Sequence, residues 1–235
     1  MKKPTIIFLH GWGGSKTSMQ PLVDRLLNIG PTLVFDLPGF GAADPPEKPW
    51  DVDDYVRWLH RRCVEKNIEH VVLVGHSFGG HIACRFAAAH PSMVLKLVLL
   101  APSGIRQPLS KRQSVAHLLT QLARNVPFPE ISFIRSLIHL LAGERDYLRA
   151  SPVMRSSMQK VLAQDVRDVL SKIKVKTLIV WGKDDHITPV ANAEIFEKGI
   201  KHSKLVILDG ARHGIPFTQT KEVAESVRRF LNEVT

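Results

Sequence analysis

The chain has 235 residues, enough for one domain with a substantial buried core, and its apolar and charged fractions of 44% and 23% are those of a globular protein. These values exclude a disordered or collagen-like chain, and no apolar run approaches the roughly 18–20 residues that a membrane-spanning helix needs. The formal charge of +10 comes without zinc-ligand spacing or a basic patch interleaved with aromatic residues, so we expect a solvated basic surface and no nucleic-acid partner. Two cysteines and no recognisable export signal favour a cytoplasmic protein with no integral membrane association.

Six short runs rich in Val, Ile and Leu alternate with longer amphipathic stretches, which predicts βαβ units and a mostly parallel sheet flanked by helices. The predicted strands are 5–9, 32–35, 71–74, 95–100, 176–181 and 204–208. Core helices are predicted at 17–27, from an N-cap at Asp51 or Asp53 to about residue 67, at 78–89, and after residue 220.

The segment between the fourth and fifth strands is too long for a simple crossover and has a helical pattern throughout. Its best helix candidates are 110–125, 130–142 and 152–164. We therefore predict a core formed by residues 1–102 and 176–235, with a helical cap inserted at 103–175.

Ser77 lies between the third strand and the following helix, in the run G-H-S-F-G-G (75–80). A Ser at such a junction occupies a sharp turn, and only small residues fit two positions before and after it. Gly75 and Gly79 meet that demand. The turn presents the Ser77 hydroxyl at the carboxyl end of the strand, so Ser77 is predicted to be a nucleophile.

A serine hydroxyl needs a base within hydrogen-bond reach to act as a nucleophile. Of the eleven His residues, His213 is the best placed, because it follows the last strand in the loop D-G-A-R-H-G (209–214). His10 is interpreted as a structural residue bonded to nearby backbone rather than as a proton carrier. The expected base is therefore His213.

The residue that orients the base should be a carboxylate at the end of another strand, between nucleophile and base in chain order. Asp184 and Asp185 both satisfy this condition, and spacing alone does not separate them. Asp209 is a further candidate, but it lies so near His213 in the chain that we expect it to shape the turn instead. Our hypothesis is that Asp185 orients His213.

An oxyanion formed at the substrate carbonyl needs two N–H donors. The Phe78 amide, at a helix N-terminus, is one candidate. The glycine-rich loop H-G-W-G-G (10–14) after the first strand offers the Trp12 amide as the second.

These motifs together resemble the α/β-hydrolase superfamily along nearly the whole chain. The matching pieces, in the family's order, are H-G-W-G-G (10–14), D-L-P-G-F-G (36–41), G-H-S-F-G-G (75–80), W-G-K-D-D-H-I-T-P (181–189) and G-A-R-H-G (210–214). The resemblance implies the α/β-hydrolase fold, a mostly parallel sheet flanked by helices, and it favours Asp185 as the acid of the triad. The Trp after H-G is similar to that of small bacterial carboxylesterases. Family members usually have an antiparallel hairpin before the H-G strand, whereas this sequence starts at that strand, so we expect no hairpin and a sheet of about six strands. The chain also carries His81 where related menaquinone-biosynthesis synthases have Arg.

The predicted activity is cleavage of small-molecule carboxylic esters with small to medium acyl chains, through an acyl-enzyme on Ser77 and without a metal or organic cofactor. In the predicted cap, Ile134, Leu137 and Ile138 belong to an apolar helical stripe that either lines the acyl pocket or anchors the cap to the core. Three alternatives stay open: a carbon–carbon bond hydrolase, thioesterase, perhydrolase or lyase with the same triad; a slow-turnover ligand-binding receptor; and a basic-surface interaction protein with a relic site.

Overall fold

The sheet is built from six parallel strands in the order β2-β1-β3-β4-β5-β6. The computed structural model describes residues 4–106 and 150–233 of the chain, and no antiparallel strand pair occurs within them. The strands are β1 (Thr5–Leu9), β2 (Thr32–Phe35), β3 (Val71–His76), β4 (Val94–Leu100), β5 (Lys176–Gly182) and β6 (Ser203–Leu208). The prediction of a parallel sheet of about six strands is confirmed, and every strand boundary lies within two residues of the predicted one.

Helices connect these strands and cover the sheet. Those within the described residues are α1 (Lys16–Leu26), α2 (Val52–Glu65), α3 (Phe78–Ala89), α4 (Pro152–Ala163), α5 (Arg167–Leu170), α6 (Ala191–Gly199), α7 (Ile215–Thr218) and α8 (Thr220–Asn232). None of them has the length and hydropathy needed to cross a bilayer. The helices predicted at 110–125 and 130–142 lie outside the described residues, so the bounds of the cap stay a prediction.

The core forms because the inner strands are apolar on both faces and helices lie against both. The helix α1 packs against α8, and α2 packs against α3, which gives two helical layers around the sheet. The strands β3 and β4 are almost fully buried, whereas the edge strand β2 is half-buried along its length. Asp51, one of the two predicted caps, starts α2 by accepting a hydrogen bond from the Asp54 amide at 2.9 Å.

The strand order creates a crevice at the carboxyl ends of β1 and β3. The chain leaves β1 toward β2 on one side and returns to β3 on the other, so the loops after these two strands diverge. In open α/β sheets this is the place where ligands bind. It is also where the H-G-W-G-G loop and Ser77 lie.

Candidate active site

Ser77 has backbone angles of φ 51° and ψ −114°, a combination that non-glycine residues rarely adopt. The turn leaves no room for a side chain two residues before or two residues after Ser77. A Cβ at Gly75 would lie 2.4 Å from the Gly79 carbonyl oxygen, and one at Gly79 would lie 2.2 Å from the Leu9 carbonyl oxygen. The glycines are therefore required by the close approach of β3, α3 and β1, which holds Ser77 at the end of the strand.

The backbone of Ser77 is fixed to the end of the neighbouring strand. Its amide donates to the Leu100 carbonyl at 3.0 Å, and its own carbonyl accepts from the Ser103 amide at 3.0 Å. Because both bonds reach the β4 end, the surrounding structure holds the unusual backbone angles in place.

Asp185 and His213 meet above the carboxyl ends of β5 and β6. The His213 Nδ1 atom lies 2.7 Å from Asp185 Oδ2, and the Asp185 side chain is completely buried. A carboxylate only accepts, so His213 donates through Nδ1, and in the neutral form of the ring Nε2 is the acceptor. Asp184, the rival candidate, is exposed. The structure therefore brings Asp185, and not Asp184, to His213.

The Asp185 carboxylate is surrounded by hydrogen-bond donors. Its Oδ1 accepts from the backbone amides of Ile187 and Thr188 at 2.8 and 2.9 Å, and its Oδ2 accepts from the Thr188 hydroxyl at 2.8 Å. Burial on its own raises the pKa of Asp185, but the hydrogen bond and charge of His213 and the bonds from Thr188 outweigh it and hold the pKa below its ordinary value. The carboxylate is thus ionised at neutral pH and able to orient His213.

His76 connects the Ser77 turn to the loop that carries His213. Its Nε2 lies 3.0 Å from the His213 carbonyl oxygen, and the two imidazole rings are 4.9 Å apart. A carbonyl only accepts, so His76 donates through Nε2. Burial and the neighbouring His213 lower the pKa of His76 to about 3, which keeps its ring neutral. No hydrogen bond joins the Ser77 hydroxyl to His213 among the described residues.

The H-G-W-G-G loop lies directly against Ser77. A Cβ on Gly11 would be 3.2 Å from the Ser77 Cβ, and the Trp12 and Phe78 rings pack edge to face with centroids 5.1 Å apart. Neither the Trp12 nor the Phe78 amide has a backbone acceptor in the part of the chain that the structure describes. No backbone hydrogen bond therefore occupies these two N–H groups, and their assignment as oxyanion donors stays a prediction.

Both ring nitrogens of His10 form hydrogen bonds with nearby backbone atoms. Its Nδ1 donates to the Gly11 carbonyl at 2.8 Å, and its Nε2 accepts from the Leu37 amide at 3.0 Å. Burial lowers the pKa of His10 and keeps it neutral. With both nitrogens bonded, His10 holds the loop in place, in agreement with its interpretation as a structural residue.

Three predicted site residues belong to the cap segment, and two neighbours of the site were not predicted. Ile134, Leu137 and Ile138 lie outside the described residues. Sequence reasoning missed His76 and Thr188, whose contacts with His213 span 137 and 25 residues along the chain. Their position beside Ser77 and Asp185 within the two motifs is the only sequence signal that could have found them. Residues 4–106 and 150–233 contain no group of three or more His, Cys, Asp or Glu side chains placed to hold a metal ion.

The chain is similar to known proteins along nearly its whole length. The model of the alpha/beta hydrolase family matches residues 6–226. A monoacylglycerol lipase of Mus musculus is 25% identical over 99% of this chain and 76% of its own length, and a pimeloyl-[acyl-carrier protein] methyl ester esterase of Neisseria meningitidis is 26% identical over 97% and 77%. The solved meta-cleavage product hydrolase from Pseudomonas fluorescens has a similar fold, with a TM-score of 0.75, 21% identity and coverage of 100% of this chain and 92% of that one. The chain belongs to the alpha/beta hydrolase family.

Proposed function

We propose that the protein is a serine hydrolase that cleaves carboxylic esters of small to medium acyl chains through an acyl-enzyme on Ser77. The observation that carries the proposal is the pairing of a strained Ser at the β3 end with an Asp185–His213 hydrogen bond of 2.7 Å across the same edge of the sheet. The relatives that are named as a monoacylglycerol lipase and a methyl ester esterase support ester cleavage as the reaction.

In the proposed acylation step, His213 Nε2 takes the proton of Ser77 as its oxygen attacks the ester carbonyl. The carbonyl oxygen becomes an oxyanion, which the Trp12 and Phe78 amides stabilise. Loss of one such donor typically costs about 3 kcal/mol of transition-state stabilisation. His213 then returns its proton to the leaving alcohol, while Asp185 stabilises the imidazolium.

In the proposed deacylation step, water attacks the acyl-enzyme. His213 takes one proton of that water and the carbonyl oxygen again becomes an oxyanion. Collapse of this intermediate releases the carboxylic acid and returns the proton to Ser77. No step needs a metal or an organic cofactor.

The proposal is tested by initial rates on p-nitrophenyl esters of increasing acyl length, measured for the wild type beside Ser77→Ala. We expect repeated turnover by the wild type, a rate maximum at short or medium chains, and a loss of activity in the variant of roughly 10⁴-fold or more. Equal rates for the two proteins would reject the esterase, and carbon–carbon and thioester substrates would then be compared in the same way.

A further inference from the structure

Thr188 is a buried residue whose hydroxyl lies among the polar atoms of the Asp185–His213 pair. It is 7% exposed and follows Asp185 by three residues in the loop after β5. Its Oγ1 lies 2.8 Å from Asp185 Oδ2, 3.1 Å from His213 Nδ1 and 3.3 Å from the Ala101 carbonyl oxygen. The hydroxyl therefore contacts both members of the pair.

The donors and acceptors around the Thr188 hydroxyl determine which partner receives its hydrogen. It has one hydrogen and two lone pairs, and the Asp185 and Ala101 oxygens can only accept. The Asp185 oxygen is both nearer and charged, so the hydroxyl hydrogen points to Oδ2. A lone pair of Oγ1 then faces the His213 Nδ1–H, which is shared between Oδ2 at 2.7 Å and Oγ1 at 3.1 Å.

The loop does not depend on this hydroxyl for its shape. The Thr188 amide donates to Asp185 Oδ1 at 2.9 Å, and the Thr188 carbonyl accepts from the Trp181 indole N–H at 2.8 Å. Both bonds belong to backbone atoms, so a side chain of the same shape without a hydroxyl leaves them in place.

We infer that Thr188 is a positioning residue for the hydrolytic reaction. Its hydroxyl fixes Asp185 Oδ2 in the orientation that accepts from His213 Nδ1, so that His213 Nε2 stays free to take the Ser77 proton. The inference rests on the proposed function, because it assigns Thr188 a part in that reaction.

The test compares Thr188→Val, which removes the hydroxyl and keeps the shape, with Thr188→Ser, which keeps the hydroxyl. Thr177→Val is the matched control, since Thr177 is a buried residue at the opposite end of β5 whose hydroxyl bonds only the Val175 carbonyl among the described residues. A hydrogen bond to a charged group predicts that Thr188→Val lowers kcat roughly 10- to 100-fold with KM almost unchanged. Thr188→Ser should restore most of kcat, and Thr177→Val should keep the wild-type kcat.

A second measurement needs no substrate. The proton on His213 Nδ1 should give a downfield ¹H NMR signal, which Thr188→Val shifts and Thr188→Ser returns toward the wild-type position. If wild type and Ser77→Ala are equally inactive on esters, the proposed function fails, and this signal still tests the hydrogen bonds of Thr188.

Three results would overturn the inference. A wild-type kcat in Thr188→Val would show that the hydroxyl has no part in the reaction. A Thr188→Ser variant as slow as Thr188→Val would show that the hydroxyl alone does not sustain kcat, so that side-chain packing and not hydrogen bonding accounts for the loss. An unmoved Nδ1–H signal would show that the hydroxyl does not contact His213.

Discussion

Ser77 adopts its backbone angles of φ 51° and ψ −114° because neighbouring strands hold it there, and such conformations cost on the order of 1–3 kcal/mol. Glycine adopts positive φ without the steric strain that a Cβ atom causes. The larger conformational entropy of glycine in the unfolded chain offsets part of this stabilisation. We therefore expect Ser77→Gly to have a free energy of unfolding about 1 kcal/mol above that of Ser77→Ala.

Urea denaturation of the two variants measures this difference, and neither is expected to turn over esters. An alanine variant more stable than the glycine variant would mean that the turn stores no strain at Ser77.

The two adjacent carboxylates in the loop after β5 should differ sharply in their effect on activity. Asp185 is buried and bonded to His213, whereas Asp184 is exposed. In Asp185→Asn the amide group can present a donor to His213 and select the wrong tautomer, so kcat should fall by roughly 10⁴-fold. Asp184→Asn is the matched control and should retain most of the activity on p-nitrophenyl esters; a larger loss at Asp184 than at Asp185 would reverse the assignment.

The sequence does not show in which direction two neighbouring side chains of a loop point. Asp184 and Asp185 both follow a strand, and spacing does not determine which of them turns inward. The same limit applies to His76, whose partner, the His213 carbonyl, is 137 residues away in the chain. The roles of Ser77 and His213 were easier to predict, because each residue lies in a motif that follows a clearly predicted strand.

The contact between α3 and β1 depends on one glycine. A Cβ at Gly79 would lie 2.2 Å from the Leu9 carbonyl oxygen, a backbone atom that cannot rotate away. We expect Gly79→Ala to lower the free energy of unfolding by about 1–3 kcal/mol through forced separation of these elements.

Gly30→Ala is the control, since its Cβ would meet its nearest neighbour, the Pro4 carbonyl oxygen, at an ordinary 3.4 Å. Thermal or urea unfolding of both variants measures the effect. Equal stability of the two variants would contradict the tight contact between α3 and β1.

Elements with a strong repeating pattern were predicted well, and short elements were not. The strands β3 and β4 are largely apolar, apart from Lys96 in β4, and a parallel sheet buries both of their faces, so their predicted bounds lie within two residues of the observed ones. The helix α5 has four residues, too few for a helical period to show, and α6 begins at Ala191 after Val190, an N-cap residue that makes no side-chain capping hydrogen bond. The order of the strands in the sheet could not be predicted from the hydrophobic pattern, because it depends on the side on which each connection crosses the sheet.

Arg85 joins three parts of the molecule through its guanidinium group. Its Nε lies 2.7 Å from Asp53 of α2, and its Nη1 lies 3.1 Å from Asp168 of α5 and 3.4 Å from the Asp165 carbonyl oxygen. Residues 165 and 168 fall in the predicted cap segment 103–175, so Arg85 connects the end of that segment to the core helices.

This connection should make stability depend on pH. Burial on its own raises the pKa of Asp53, but the hydrogen bond and charge of Arg85 outweigh it and lower the pKa below the ordinary 3.8. A carboxylate with a lowered pKa in the folded state stabilises the fold above pH 3.8 and loses that contribution as the pH falls through the folded pKa. We therefore expect Arg85→Gln to reduce the free energy of unfolding at neutral pH and to reduce it less at a pH below 3.8.

Urea unfolding of wild type and Arg85→Gln at both pH values measures the gap between the two proteins in free energy of unfolding. Lys172→Gln, at an exposed residue, is the control for loss of a charge. A gap that stays constant or widens toward acid would show that Arg85 does not stabilise the ionised form of Asp53.

The central claim, that Ser77 is the nucleophile, is tested most directly by covalent labelling with a fluorophosphonate followed by peptide mass spectrometry. We predict one phosphonyl group per chain, located on Ser77, with esterase activity lost in proportion to labelling and no adduct in Ser77→Ala. Ester turnover that survives in a fully labelled protein, or an adduct at another residue that alone accounts for the loss of activity, would contradict the claim.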